Sequence, residues 1–141
     1  MSISLIDTLV RHEGLKHKPY EDTTGHMTIG VGRNLSSVGL SDDEVYYLLK
    51  NDIRRCEQEL ENSQRWYKDL DRVRQEAMIN LCFNLGITRL RKFKNALRAM
   101  EVKDYEDAAD EFLDSLWARQ VGKRAFEVTY MIRTGAYYAN G

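Results

Sequence analysis

The chain has one proline, two cysteines and no hydrophobic run approaching the roughly 20 residues that a membrane-spanning helix needs. Two cysteines cannot form a disulfide framework, and they are compatible with synthesis in a reducing compartment. Lysine and arginine number 21 against 22 aspartates and glutamates, so the basic excess typical of nucleic-acid-binding proteins is missing. The first residues lack a basic segment, and Asp7 interrupts their apolar positions, which argues against a secretory signal. We therefore expect a chain without an export route of its own.

The rest of the composition is that of an ordinary globular protein. Hydrophobic residues make up 43% of the 141 residues and charged residues 30%, which excludes a disordered or fibrous protein. A chain of this length can bury about 68–70% of its unfolded surface, so it needs no metal or disulfide to fold. We expect a single domain.

The N-terminal part of the chain contains one helix pattern followed by a sheet pattern. Ile3, Ile6, Leu9 and Val10 recur at helical spacing, and Gly14 is placed to end that helix in the left-handed conformation. Residues 15–39 hold the only proline and four of the nine glycines, which favours short strands and turns. Within this segment, alternation predicts a strand with one inward apolar face and one open face. The inward face holds Met27, Ile29 and Val31, and the open face holds Thr28, Gly30 and Gly32.

Helix patterns dominate the remainder. Ser41 and Glu44 form a predicted capping box at the start of a helix that runs to about Asn62. A second helix begins near Asp71 and ends at Gly86, and shorter helical patterns cover 93–100, 104–114 and 123–132. The predicted fold class is α+β and mainly helical. We expect a small lobe at about 12–40, a connecting helix at about 41–62, and a helical lobe at about 63–141 that also includes the N-terminal helix.

Two carboxyl groups flank the turn-rich segment. Glu13 falls at the C-terminal end of the first helix, where the helix dipole disfavours a negative charge and raises proton affinity. Asp22 lies in a polar loop beside Thr23 and Thr24, where hydrogen-bond donors favour its ionised form. One carboxyl biased towards protonation beside one biased towards ionisation is the pairing that glycoside hydrolysis uses. Spacing alone leaves open that both are solvated surface acids.

A longer motif adds to these two acids. The run E-G-L-K-x-K-x-Y-x-D-T-x-G-x-x-T-I-G-V-G, from Glu13 to Gly32, resembles the active-site signature of the phage-type lysozymes, the muramidase family typified by the lysozyme of T-even bacteriophages. The resemblance continues through D-R-V-R-Q-E-A-M-I-N-L-C-F-N-L-G at 71–86, F-K-N-A-L-R at 93–98, A-A-D at 108–110, Trp117, and R-T-G at 133–135, in the family's order.

The resemblance implies a lysozyme-like fold and a role for each matching residue. Glu13 would be the general acid, Asp22 and Thr28 would hold and activate the attacking water, and the reaction would invert the anomeric configuration. Phe83 and Asn84 match positions that line the cleft. Arg124 matches an arginine that pairs with the catalytic glutamate. Such a cation would favour the ionised form of Glu13, whereas the helix end favours the protonated form.

The sequence also departs from the T-even enzyme. The segment from Asn34 to Leu40 is much shorter, and Asn34, Ala96 and Glu111 replace a leucine, a serine and an asparagine, which puts subsite preference in question. Arg33 replaces a histidine that pairs with an aspartate, and Asp52 matches that aspartate. We therefore predict a bidentate ion pair between Arg33 and Asp52.

Other reactive residues have ordinary interpretations. The spacings of His12, His17 and His26 fit no common zinc pattern, so no metal site is predicted. Cys56 lies on the charged connecting helix, and Cys82 lies on an apolar stripe and is interpreted as a buried, inert thiol. We expect Trp117 in the core and leave Trp66 open. Five basic residues within 89–98 indicate a solvated helix start, with a patch for anionic polymers or membrane surfaces as the alternative.

The predicted function is hydrolysis of the β-1,4 bond between N-acetylmuramic acid and N-acetylglucosamine in peptidoglycan. No cofactor is implied, because two carboxyls and water suffice. The family context implies a phage endolysin, present in the bacterial host cytoplasm until a separate holin-like protein releases it to the cell wall. We expect a monomer, no nucleic acid partner and no stable membrane insertion. The alternatives are a non-catalytic peptidoglycan-binding or regulatory module on the same fold and a helical nucleic-acid binder that uses residues 89–98.

Overall fold

The computed structural model describes residues 2–139, with side chains described from residue 5 onward. One helix is followed by three short strands and then by seven helices. In chain order the elements are α1 (Ser2–Glu13), β1 (Lys16–Glu21), β2 (Met27–Gly30), β3 (Arg33–Asn34), α2 (Asp42–Ser63), a 3-10 turn (Arg65–Asp69), α3 (Arg72–Leu85), α4 (Ile87–Leu90), α5 (Lys94–Glu101), α6 (Tyr105–Leu113), α7 (Leu116–Val121) and α8 (Lys123–Thr134). The mainly helical α+β class is therefore confirmed. None of the described helices combines the length and apolarity that crossing a membrane requires.

The chain divides into two compact units, an N-terminal unit (Met1–Leu48) and a C-terminal unit (Leu49–Gly141). Helix α2 begins in the first unit and ends in the second. The predicted grouping of α1 with the helical lobe stays a prediction.

In the N-terminal unit, α1 ends where the sequence predicts. Gly14 adopts a φ of 80°, and its N–H donates to the carbonyl of Val10 at 2.8 Å, which closes the last turn. The apolar residues Leu5, Ile6 and Leu9 are exposed on this helix. The side chain of Ile3, the first residue of the predicted stripe, lies outside the described residues.

The three strands form one antiparallel sheet in the order β1-β2-β3. β1 contains Pro19 and carries a bulge between Lys16 and Tyr20, which fits an edge strand because proline cannot donate to a ladder. In the central strand, Thr28 lies opposite Tyr20 on one side and Asn34 on the other.

The predicted faces of β2 are wrong. Thr28 is only 3% exposed, whereas Met27 and Val31, expected to face inward, are exposed. Thr28 has a cross-strand neighbour on each side, and both neighbours share its face of the sheet. β2 ends at Gly30, whose φ is 69°, so Val31 no longer belongs to the strand and its alternation does not apply.

The capping box at the start of α2 is confirmed, but the predicted Arg33–Asp52 ion pair is wrong. The N–H of Ser41 donates to Glu44 Oε1 at 2.8 Å, and the N–H of Glu44 donates to Ser41 Oγ at 3.2 Å. Arg33 forms its bidentate pair with the same Glu44, at 2.7 and 2.6 Å, and also donates to the carbonyl of Gly39. Asp52 pairs with Arg55 at 2.9 Å. The shortened segment is therefore closed by an arginine that joins β3 to the first turn of α2.

The C-terminal unit contains the hydrophobic core of the described residues. Its members come from α2, the 3-10 turn and α3 to α8, and its largest fully buried side chains are Tyr67, Phe112, Leu60, Met78, Leu81, Leu90, Met100 and Ile132. Trp117 and Cys82 are buried as predicted, Cys56 is buried as well, and Trp66 is partly buried against the core.

Arg74 connects α3 to the end of α8. Its guanidinium donates to the carbonyls of Ile132 at 2.6 Å and Arg133 at 3.2 Å, and it lies 3.7 Å from the ring centroid of Tyr105. These carbonyls belong to the last turn of α8, where backbone acceptors have no partner within the helix. Arg74 therefore satisfies the end of α8 and fixes it against α3.

Candidate active site

Glu13 is the last residue of α1, and its carboxyl lies directly against the backbone of Gly32. A Cβ atom built on Gly32 would meet Glu13 Oε1 at 2.9 Å, Cδ at 3.3 Å and Cγ at 3.4 Å. Gly32 also has a φ of 70°, which L side chains rarely adopt. The absence of a side chain at residue 32 therefore gives the Glu13 carboxyl its position.

Asp22 sits at the start of a tight loop that supplies it with hydrogen bonds. Its Oδ1 accepts from the N–H of Thr24 at 2.9 Å, the hydroxyl of Thr24 at 2.8 Å and the N–H of His26 at 2.9 Å. The backbone N–H of His26 and the Thr24 hydroxyl lower the pKa of the Asp22 carboxyl below its ordinary value. The loop therefore favours an ionised Asp22, as the sequence predicts.

A chain of donors extends from this loop. Thr24 Oγ1 lies 2.7 Å from His26 Nδ1, and the hydroxyl has one proton, which goes to Asp22. His26 must therefore carry a proton on Nδ1 to donate to Thr24. All three of these hydrogen bonds to the Asp22 carboxyl are accepted by Oδ1, so Oδ2 accepts none of them.

Thr28 bonds to the same loop from the sheet. Its hydroxyl donates to the carbonyl of His26 at 2.9 Å. That bond uses the only hydroxyl proton, so the Thr28 oxygen can act towards a further group as a hydrogen-bond acceptor. Glu13, Asp22 and Thr28 all belong to the N-terminal unit.

In the C-terminal unit, Phe83 and Arg124 line one cavity of about 460 Å³. Arg124 Nε donates to Asn80 Oδ1 at 2.9 Å, and Nη2 reaches the Asn80 carbonyl at 3.4 Å. Phe83 is 45% exposed, which leaves an apolar side chain open to a ligand. Tyr137 closes another side of the cavity, where its hydroxyl donates to Glu76 at 2.9 Å and this bond raises the pKa of Tyr137.

Asn84 follows Phe83 but does not line this cavity. Its Oδ1 accepts from the indole N–H of the buried Trp117 at 2.6 Å. With its oxygen engaged, the amide presents its NH₂ group as a donor. The bond also explains how Trp117 can be buried without an unpaired indole nitrogen.

Sequence reasoning missed Asn80 and the contact between Glu13 and Gly32. Asn80 precedes Phe83 by three residues, and positions three and four apart share a helix face, so helical spacing could have found it. No sequence signal shows that Gly32 approaches Glu13, because the contact joins the end of α1 to a turn that follows β2.

The remaining sequence candidates are exposed. His12, His17 and His26 lie at the surface, and so do the basic residues of 89–98, namely Arg89, Arg91, Lys92, Lys94 and Arg98. The exposure of these five basic residues agrees with the predicted solvated helix start.

The chain resembles known lysozymes over most of its length. Residues 10–129 match the sequence profile of the family described as Phage lysozyme. The chain is 29% identical to "Probable T4-type lysozyme 1" of Dictyostelium discoideum, over 99% of both chains, and 30% identical to "Probable T4-type lysozyme 2" of the same organism, over 96% of both. It is 32% identical to the "Endolysin" of Salmonella phage P22, over 84% of this chain and 82% of the relative. The resemblance inferred from the sequence motifs is thereby confirmed, and the chain belongs to the phage lysozyme family of glycoside hydrolases.

Proposed function

We propose that the chain hydrolyses the β-1,4 bond between N-acetylmuramic acid and N-acetylglucosamine in peptidoglycan. The observation that carries the proposal is the contrast between two carboxyls of the N-terminal unit. Glu13 lies at the negative end of a helix dipole against a bare glycine backbone, while Asp22 is held ionised by three donors. Glycosidases use such a pair, one carboxyl as a proton donor and the other as a base.

In this reaction Glu13 protonates the glycosidic oxygen as the sugar–oxygen bond breaks. Asp22, through Oδ2, accepts a proton from the attacking water, and the Thr28 oxygen orients that water by accepting its other hydrogen. Attack from the face opposite the leaving group inverts the anomeric carbon. Such a mechanism needs about 6.5–9.5 Å between the two carboxyls to leave room for the water.

We propose that Phe83, Asn84 and Arg124 bind the glycan strand. The exposed Phe83 ring offers an apolar face to a sugar ring. The Asn84 NH₂ group can donate to a hydroxyl or acetamido oxygen, because Trp117 occupies its carbonyl. Asn80 holds the Arg124 guanidinium in place, so the cation is oriented before substrate arrives.

The setting of the reaction is proposed from the endolysin relative. We propose that the chain acts as a monomer on the bacterial cell wall, and that it is kept from the wall in the host cytoplasm until a separate membrane-permeabilising protein releases it. The similarity to the "Endolysin" of Salmonella phage P22 supports this setting.

The test is clearing of a purified cell-wall suspension by wild type, Glu13→Gln and Glu21→Gln. Glu13→Gln preserves shape but removes the transferable proton, so clearing should slow about 10²- to 10⁴-fold, the usual contribution of a general acid. Glu21→Gln removes an exposed carboxyl from the same unit and should clear walls at the wild-type rate.

Product analysis tests the bond and the stereochemistry. Cleavage of the proposed bond leaves new reducing ends on N-acetylmuramic acid, and inversion gives the α-anomer first. New reducing ends on N-acetylglucosamine, or free peptide without new reducing ends, would overturn the bond assignment. An initial β-anomer would overturn the inverting mechanism, and equal clearing by wild type and Glu13→Gln would overturn the acid.

A further inference from the structure

A second cluster of reactive side chains lies in the C-terminal unit, where α2 meets α3. Cys56 and Glu59 lie three residues apart on α2, and Cys82 lies on α3. One ligand atom from each lies within 4.8 Å of the other two. Cys82 Sγ is 3.8 Å from Glu59 Oε1 and 3.9 Å from the Cys56 carbonyl oxygen. None of the residues assigned to glycan hydrolysis belongs to this cluster.

From this geometry we propose that Cys56, Glu59 and Cys82 bind a thiophilic divalent cation of the zinc class. Zinc–sulfur bonds of about 2.3 Å and zinc–oxygen bonds of about 2.0–2.2 Å put tetrahedral ligand atoms roughly 3.5–3.8 Å apart. The 3.8 Å separation between Cys82 Sγ and Glu59 Oε1 already matches that edge. The other separations are at most 4.8 Å, so they need to close by no more than about 1.3 Å to do the same.

The surroundings suit such an ion. The two cysteines are 5% and 2% exposed, so the site excludes most water, while a cavity of about 520 Å³ reaches all three side chains. That cavity gives the ion an entry path and leaves the fourth position open to water. Two thiolates select zinc or cadmium over magnesium and calcium, which prefer oxygen ligands.

The charges of the bound state also balance. Two thiolates, one carboxylate and a divalent cation sum to one negative charge. The same cavity is lined by Arg55 and Arg89 and by Asp52, which pairs with Arg55, so Arg89 is the cation that offsets the charge of the bound site. Burial raises the pKa of both thiols, that of Cys82 to about 12, so both are protonated without the ion. Binding therefore breaks two S–H bonds, forms two metal–sulfur bonds and releases two protons to solvent.

The experiment uses the reduced full-length chain with Zn²⁺ for stoichiometry and Co²⁺ for spectroscopy. Equilibrium dialysis should retain one Zn²⁺ per chain, and Co²⁺ should produce thiolate charge-transfer absorption in the near ultraviolet. Zn²⁺ should raise the unfolding temperature, because an ion that binds only the folded state stabilises it. Mg²⁺ should neither be retained in dialysis nor raise the unfolding temperature.

Variants assign the ligands. Cys56→Ala and Cys82→Ala should each abolish the Co²⁺ absorption. Glu59→Gln should weaken Zn²⁺ binding about 10–100-fold or more. Loss of a residue that only hydrogen-bonds to a metal ligand already has an effect of that size, and Glu59 is proposed as a ligand itself. Glu61→Gln, which removes a nearby carboxyl of the same helix, should bind like wild type. Glu59 is only partly buried, so Glu59→Gln tests the site even where a cysteine variant fails to fold.

Three results would overturn the proposal. The first is no retention of Zn²⁺ by the folded wild type. The second is Co²⁺ binding without thiolate absorption, which would locate the ion on exposed carboxylates or histidines. The third is equal Zn²⁺ affinity in Glu59→Gln and Glu61→Gln.

Discussion

Gly32→Ala, compared with a matched control, tests whether catalysis depends on the position of the Glu13 carboxyl separately from any loss of protein stability. The new Cβ would stand 2.9 Å from Glu13 Oε1, whereas ordinary van der Waals contact begins at 3.4 Å, so the carboxyl must retreat by several tenths of an ångström. The atom in the way is the far end of a flexible side chain, which can swing aside at little energetic cost. The steric conflict should therefore move the carboxyl rather than unfold the chain.

Backbone strain is the second effect of this substitution, and Gly30→Ala reproduces it alone. Gly30 has a φ of 69° against 70° at Gly32, but a Cβ at Gly30 would meet nothing within 4 Å. A left-handed conformation costs a non-glycine residue about 1–2 kcal/mol, so both variants should lose similar stability. Chemical unfolding at equal protein concentration measures this loss.

The two variants should differ in catalysis. A misplacement of about 1 Å can reduce the rate about 10²-fold, so the smaller retreat of the Glu13 carboxyl should reduce kcat roughly tenfold in Gly32→Ala. Gly30→Ala should keep a kcat close to wild type, and any effect of its methyl group on glycan binding should be seen in KM. Initial rates on a soluble peptidoglycan fragment at several concentrations separate the two constants.

Equal kcat values for the two variants, at matched stability, would refute the reasoning. Either Glu13 would then not be the proton donor, or its carboxyl would not depend on the bare backbone at residue 32. Glu13→Gln distinguishes these cases, because it lowers kcat only if Glu13 is the donor.

Two further predictions concern interactions outside the proposed acid. Hydrogen bonds from Arg33 and, to a lesser degree, from the Ser41 N–H lower the pKa of Glu44 to about 2 from an ordinary 4.5, so this carboxylate stabilises the fold above pH 4.5 and ceases to as pH falls towards 2. The difference in urea midpoint between wild type and Glu44→Gln should therefore be constant from pH 7 to 5 and shrink below that; a difference independent of pH would contradict the ion pair. A double-mutant cycle of Trp117→Phe and Asn84→Ala should give a coupling of about 0.5–1.5 kcal/mol, and strictly additive costs would show that their hydrogen bond contributes nothing.

Local sequence signals predicted the helix ends because each depends on neighbouring residues. Asp71 and Asp104 each accept a backbone N–H three residues on, and the N–H of Gly86 donates to Cys82, which ends α3. The short elements at 65–69, 87–90 and 116–121 escaped prediction. Segments of four to six residues are too short for a helical period to emerge from the pattern.

The Arg33 partner shows how a correct local prediction can hide a second interaction. The capping box predicted that Glu44 turns back to the Ser41 N–H, and it does. A capping carboxylate uses one oxygen for that bond and keeps further acceptor sites, and the short segment after β3 brings Arg33 to them. The resemblance suggested Asp52, but a shortened loop changes which acid is within reach.

The cysteine cluster marks the limit of interpreting residues one at a time. Cys56 and Cys82 are far apart in the sequence and differ in local pattern, one on a charged helix and one on an apolar stripe. The sequence presents each as an isolated thiol, and both are buried. Only the packing of α2 on α3 brings their side chains together with Glu59, which at i+3 from Cys56 occupies the same face of α2. The carboxyl pair could be proposed from the sequence because its motif is one contiguous segment, whereas a site formed by two helices can be proposed only once their contact is known.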